Sequence, residues 1–176
     1  QQITIDTLDW LENVVIQYNL CPFAEQSLLK NQLNIDVIQG SNQTDILAAV
    51  LGECLRLKDT PGTTLIVCPN LFPNNFIAYL EILNILTEGI LPDNDLDGII
   101  QIASFHPFFM FGDSDSDSSD NDDTTNIENY TNRSPYPIFH LLREAEVSYA
   151  VDSLDGDDSK VWKRNIAFLK TVEQTI

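Results

Sequence analysis

The spacing of apolar residues predicts alternating helices and strands. Leu8, Leu11, Val15 and Tyr18 form a helical stripe that Asp6 or Thr7 can cap and Pro22 interrupts, which leaves Cys21 at a chain reversal. Leu33, Ile35 and Val37 then alternate with Asn34 and Asp36, the period of a half-buried strand, and Gly40 closes it. Near 44–58, Leu47, Val50, Leu51 and Cys54 return to helical spacing. After the turn Asp59-Thr-Pro-Gly, the run Thr63-Thr-Leu-Ile-Val-Cys68 has no polar break and suits a central strand covered on both faces, with Cys54 and Cys68 as core residues. Phe76, Leu80 and Leu83 mark a helix near 75–88 that Gly89 stops, and Ile99-Ile-Gln-Ile-Ala-Ser104 is a third strand, ended by Phe105-His-Pro107. Two further helices are predicted. One runs from about Pro137 to Val151 with Ile138, Leu141, Leu142, Ala145 and Tyr149 inward; the other starts at about Ser159 with Trp162, Ile166 and Leu169.

Strands alternating with helices of this length predict an α/β domain, a small, mainly parallel sheet of about three strands flanked by helices. With 176 residues the chain fits a single domain over 1–176. Ligands of such sheets gather at the carboxyl ends of the strands, where His106 is expected.

Charge narrows the partners. Asp and Glu number 27 against 9 Lys and Arg, giving a net charge of −18 that repels nucleic-acid phosphates and anionic headgroups. Nucleic acid is therefore not expected as a partner. Nor is membrane insertion, since no uncharged apolar run reaches the roughly 18 residues a spanning helix needs. Three cysteines with no C-x-x-C pair argue against a disulfide framework or zinc ribbon and for a reducing, intracellular setting, cytoplasmic or organellar. The chain begins Gln-Gln, so a removed leader and a trimmed start are both open. The sequons at Asn42, Asn129 and Asn132 would matter only in a secreted protein. From Gly112 to Thr125 the chain is low-complexity Asp/Ser, expected to be a disordered, solvated loop able to meet a basic protein partner. Asp113, Asp115 and Asp117 match the first EF-hand ligand positions. Ser118 and Thr124 stand where the motif needs Gly and Glu, so specific calcium binding is not expected.

Basic residues are scarce, and between Lys58 and Lys160 the only two, Arg133 and Arg143, bracket His140. On the helix expected from Pro137, His140, Arg143, Glu144 and Val147 fall at i, i+3, i+4 and i+7, so polar groups converge as an anion pocket or, more plainly, as a surface ion pair. Cys21 precedes Pro22; if Pro22 opens a helix, Cys21 is its N-cap, where the helix dipole favours a thiolate, and otherwise it is a small buried hydrophobe. His106 can equally be a core histidine.

The segments Asn19-Leu-Cys-Pro-Phe-Ala24, Gln101-Ile-Ala-Ser-Phe-His-Pro107 and Thr131-Asn-Arg-Ser-Pro-Tyr-Pro137, followed by His140-Leu-Leu-Arg-Glu144, resemble the hallmark motifs of the family called domain of unknown function 1415. The resemblance runs through nearly the whole chain. It implies motif positions but no reaction, because the family carries no assigned activity. The family is mainly bacterial, and the Asp-rich run looks like an insertion in its pattern, which suggests a eukaryotic copy of organellar, plastid location. The positions marked are Cys21, His106, Asn132, Arg133, His140, Arg143 and Glu144.

Three functions follow as expectations. The first is an enzyme acting on a small anionic, phosphate- or carboxylate-bearing substrate held by Asn132, Arg133, Ser134 and Arg143, with Cys21, His106, His140 and Glu144 as catalytic candidates. The second is a zinc-dependent hydrolase or lyase with Cys21, His106 and His140 as ligands and a fourth position for water. The third is a non-enzymatic binding or assembly factor.

Overall fold

The computed structural model describes residues 1–21, 24–111, 127–152 and 159–173. The acidic run with its calcium and partner expectations, and the role of Pro22 as a helix start, lie outside the described residues.

Six helices and a four-stranded mixed sheet make up the described structure. Helix α1, Gln2–Trp10, continues as a π-helical stretch, Leu11–Ile16, and α2 is the short helix Ala24–Leu29. Strand β1 (Leu33–Val37), helix α3 (Gln43–Asp59) and strand β2 (Thr63–Val67) follow. Helix α4 (Phe76–Asn84) runs on through a π-helical stretch, Ile85–Ile90, into a last turn, Leu91–Asp93. Strand β3 is Ile100–Phe105, a 3-10 turn covers Ile127–Thr131, and strand β4 is Ile138–Arg143. Helices α5 (Glu144–Asp152) and α6 (Ser159–Glu173) end the fold. No helix of the described residues is long and apolar enough to cross a membrane.

The order across the sheet is β1-β2-β4-β3. β1 pairs parallel to β2, while β4 pairs antiparallel to both β2 and β3. β1, β2 and β3 therefore share one direction, as βαβ units require, but β4 enters between the last two and makes the sheet mostly antiparallel. The expectation of a mainly parallel sheet is corrected on that point, because Ile138–Arg143 is a strand where a helix was expected. Its alternate residues are buried on opposite faces. Phe139 and Leu141 pack with α3 and α4, and Ile138 packs with Leu65, Val67 and the α1 residues Ile3 and Trp10. Only from Glu144 does the chain turn helical, and Tyr149, expected inward, is 80% exposed.

Local chemistry explains most boundaries. Asn42 caps α3 by accepting from the Asp45 N–H at 3.2 Å, and Asn75 caps α4 by accepting from the Ala78 N–H at 3.1 Å. In α3, Ile46, Val50, Cys54 and Leu57 are fully buried on one stripe. Asp6 and Thr7 are not caps. The helix already begins at Gln2, and Thr7 donates to the Ile3 carbonyl from inside it at 2.7 Å. Gly89 does not stop α4 either; it sits within the π-helical stretch and the chain stays helical to Asp93. Burial pushes the Cys54 and Cys68 thiols up to about 12, as expected of core cysteines.

Gly62, entering β2, has φ +122°, and a Cβ there would lie 2.6 Å from the Gln32 carbonyl oxygen, itself bonded to the Thr63 N–H at 2.9 Å. Gly62→Ala is expected to cost roughly 1–3 kcal/mol, since the backbone clash adds to the strained dihedral. A thermal melt of the variant that matches the parent would show that the β1–β2 junction relaxes freely.

Candidate functional site

The shared direction of β1, β2 and β3 brings their carboxyl ends to one edge of the sheet, and His106 stands there immediately after β3, as expected. It is fully buried between the rings of Phe76 and Tyr79, with centroids 5.3 and 5.1 Å away. Its Nδ1 accepts from the Phe108 N–H at 3.0 Å, so the proton sits on Nε2, which donates to the Phe72 carbonyl at 3.1 Å. Burial lowers its pKa. Both ring nitrogens thus serve the backbone. The Phe72 end of this bond is a residue at φ +49°, a conformation rare for a bulky side chain.

The segment after the 3-10 turn is tied to the same strand end. The His106 N–H donates to the Asn132 carbonyl, and Asn132 Nδ2 donates to the Ser104 carbonyl, each at 3.2 Å. Ser134 donates to the Tyr136 carbonyl at 2.6 Å, and Trp10 Nε1 donates to the Arg133 carbonyl at 3.1 Å. Two of the three unusual sequence segments are therefore joined to each other, and α1 is docked on them.

Two adjoining cavities open beside this segment. One, about 280 Å³, lies among Trp10, Val14, Tyr18, Tyr130, Arg133 and Phe168, with Ser134 at its wall. The Arg133 guanidinium sits 4.4 Å above the Tyr130 ring. The other, about 250 Å³, is lined by Val15, Cys21, Phe105, Asn132, Trp162 and Asn165. Leu20 belongs to both. The π-helical end of α1 builds the ridge between them: Gln17 and Leu20 donate to carbonyls five residues back, Glu12 and Val15, and the neighbours Val14 and Val15 face different cavities. Asn165 clamps the ridge by donating to the Leu20 carbonyl at 2.7 Å. Cys21 is half-buried and its thiol is free.

The remaining motif residues lie elsewhere. His140 projects from β4 toward the α1 side, where Nε2 meets Thr63 Oγ1 at 2.7 Å. That hydroxyl donates onward to the Leu141 carbonyl at 2.7 Å, so the imidazole is the donor of the pair. Burial pushes His140 down to about 4, which keeps it neutral. Arg143 ends β4 on the other sheet face, beside the amino ends of β2 and β3, and donates to Glu146 at 3.0 Å. Its Nε is buried with no hydrogen-bond partner among the described residues. Glu144 opens α5, its N–H bonded to the Ile99 carbonyl at 2.9 Å.

The helical face expected to gather His140, Arg143 and Glu144 is thus replaced by strand alternation, which sends His140 and Arg143 to opposite faces. β4 alone, at about 3.3 Å per residue, puts roughly 17 Å between Ile138 and Arg143, and Arg133 precedes Ile138 in the segment docked on α1. Nor does the fold assemble the expected zinc trio. Cys21 lines a groove, His106 is locked to backbone and His140 is bonded to Thr63; among the described residues no three His, Cys, Asp or Glu side chains come close enough to hold a metal ion. Arg133 and Ser134 line the first cavity, and Cys21 and Asn132 line the second. The aromatic walls Trp10, Tyr18, Tyr130, Trp162 and Phe168 had no sequence signal beyond their place near the motifs.

No curated protein and no solved structure matches the chain. One family model does, over residues 2–175, so the motifs expected from the sequence and the fold described here are those of a member of DUF1415, a family described as protein of unknown function.

Proposed function

We propose that the protein acts on a small carboxylate- or phosphate-bearing molecule whose charged end is held by Arg133 and whose apolar part lies among Trp10, Tyr18 and Phe168. The observation that carries this reading is the convergence of Cys21, Asn132, Arg133 and Ser134 on two adjoining cavities. A guanidinium stacked on Tyr130 is held in place and can grip an oxyanion through parallel hydrogen bonds. The net charge of −18 opposes anion capture at long range, so binding depends on short-range contacts. Chemistry at this site falls to Cys21, the nucleophile or polar contact of the second cavity. His106 and His140 serve the reading by holding the motif segments and the sheet.

Calorimetric titration with benzoate, phenyl phosphate, acetate and inorganic phosphate tests the site. Arg133→Lys keeps the charge and loses the fork. It is expected to weaken binding about tenfold, since charge-assisted hydrogen bonds contribute roughly 1.5–3 kcal/mol. Arg143→Lys is expected to leave affinity unchanged. Absence of binding at millimolar concentration, or equal affinity for Arg133→Lys and the parent, removes the site.

A further inference from the structure

The second cavity has donors and acceptors of its own, and we infer that it takes a neutral molecule with an amide edge, a carboxamide or lactam, bound between Asn132, Asn165 and Trp162. The inference goes beyond the anion reading of Arg133 and does not depend on it.

The hydrogen bonds of the cavity wall carry it. A carboxamide has two N–H donors and two acceptor lone pairs. Asn132 donates one N–H to the Ser104 carbonyl at 3.2 Å and accepts from the Thr131 hydroxyl at 2.9 Å, a hydroxyl that the Glu128 carbonyl shares. Asn165 donates one N–H to the Leu20 carbonyl at 2.7 Å and accepts from Arg164 at 3.0 Å. Each carboxamide is thus fixed by the fold through one donor and one acceptor, and keeps one of each. The Trp162 indole N–H has no partner among the described residues and adds a third donor. All three residues line the same space of about 250 Å³. Trp162 and Asn165 stand three apart on one face of α6, and Asn132 follows the 3-10 turn against which that helix packs. Asn165 is only 5% exposed, so its carboxamide is held in place.

Charge and polarity select among ligands. None of the described lining residues is a carboxylate, a lysine or an arginine, so an ionic head would enter without a counter-ion, at a desolvation cost. The net charge of −18 opposes anions further. A wholly apolar molecule would cut the leftover N–H groups off from water and leave them unmatched. A ligand with both N–H and C=O meets each demand. Its carbonyl oxygen accepts from the leftover N–H groups, its own N–H donates to a carboxamide oxygen, and its carbon frame lies against Val15, Phe105 and Val161.

Cys21 reports occupancy, because it lines the same cavity while Cys54 and Cys68 are fully buried. Methyl methanethiosulfonate, a small neutral reagent without an amide, is expected to modify Cys21 on the folded protein, identified by peptide mass. Pyrrolidinone, a five-membered lactam, is expected at saturation to slow that reaction about tenfold. N-methylpyrrolidinone keeps the carbonyl and loses the donor, and is expected to need about five times the concentration, the loss of one neutral hydrogen bond. Trp162→Phe keeps the ring of a half-exposed residue, loses its N–H, and is expected to weaken protection by a similar factor. Arg133→Lys is expected to leave protection unchanged, whether or not the first cavity binds anions. Absence of slowing at tens of millimolar pyrrolidinone overturns the inference. Equal protection by N-methylpyrrolidinone overturns the amide class, and so does indifference to Trp162→Phe. Protection that Arg133→Lys abolishes overturns a separate neutral site.

Discussion

His106→Ala is expected to destabilise the protein by about 3–5 kcal/mol, the range for deleting a buried ring. That is a large part of the roughly 5–15 kcal/mol that holds a domain folded. Three losses add. The ring leaves a cavity between Phe76 and Tyr79, the Phe108 N–H loses its acceptor, and the Phe72 carbonyl loses one of two donors, the other being the Asn75 N–H at 2.9 Å. An unsatisfied buried N–H alone costs roughly 1–3 kcal/mol. His106→Asn separates the contributions, because an asparagine side chain can accept from the N–H two residues on, as Nδ1 does here. The asparagine variant is expected between parent and alanine in urea midpoint. An alanine variant within about 1 kcal/mol of the parent would mean that His106 is not a structural clamp, and its motif position would again call for a chemical role.

Acidification is expected to remove about 3 kcal/mol through His140 alone. Its folded value of about 4 lies below the unfolded 6.5, so the unfolded chain takes up the proton first. The contribution is complete above the unfolded pKa, fades as pH falls through 6.5, and is gone near the folded value; a gap of about 2.5 units at 1.36 kcal/mol each gives the figure. His106, also lowered by burial, adds in the same direction. Relief of self-repulsion works the other way, because the charge of −18 shrinks as pH approaches the pI of 4.1. A single melting curve against pH mixes these effects, but a difference does not. His140→Gln can still donate to Thr63 and keeps the acidic surface, so the stability gap between parent and variant should narrow by about 3 kcal/mol between pH values of about 7 and 4. A gap independent of pH would show that His140 is not held neutral by its surroundings.

Much of the fold was legible because its elements obey a single period. β1 alternates as Leu33, Ile35 and Val37 do, β2 is buried at every position as its unbroken run implied, and α6 begins at Ser159. β4 was not legible. Ile138, Leu141, Leu142, Ala145 and Tyr149 satisfy a helical stripe, while a central strand buried on both faces shows no alternation to compete with it. Pro137 fits the first turn of a helix and the lead into a strand equally well. That one ambiguity displaced the site, since reading His140 and Arg143 on a helix placed them together. Position within a motif pointed to residues that line cavities, Arg133 and Ser134 in one and Cys21 and Asn132 in the other. It could not tell that His106 and His140 face backbone and hydroxyl partners, because a hydrogen bond to a residue distant in sequence leaves no local trace.

The late entry of β4 between β2 and β3 also sets the order in which the chain can assemble. β1 and β2 are joined by one helix and can pair early, but β3 meets no strand until Ile138–Arg143 has been made, and Leu141 must find Thr64 across most of the intervening sequence. Such long-range pairing closes large loops before any contact rewards them, which slows folding. During synthesis β3 therefore waits as an unpaired strand with Ile100 and Ile102 uncovered, the period in which the nascent chain is most exposed to aggregation.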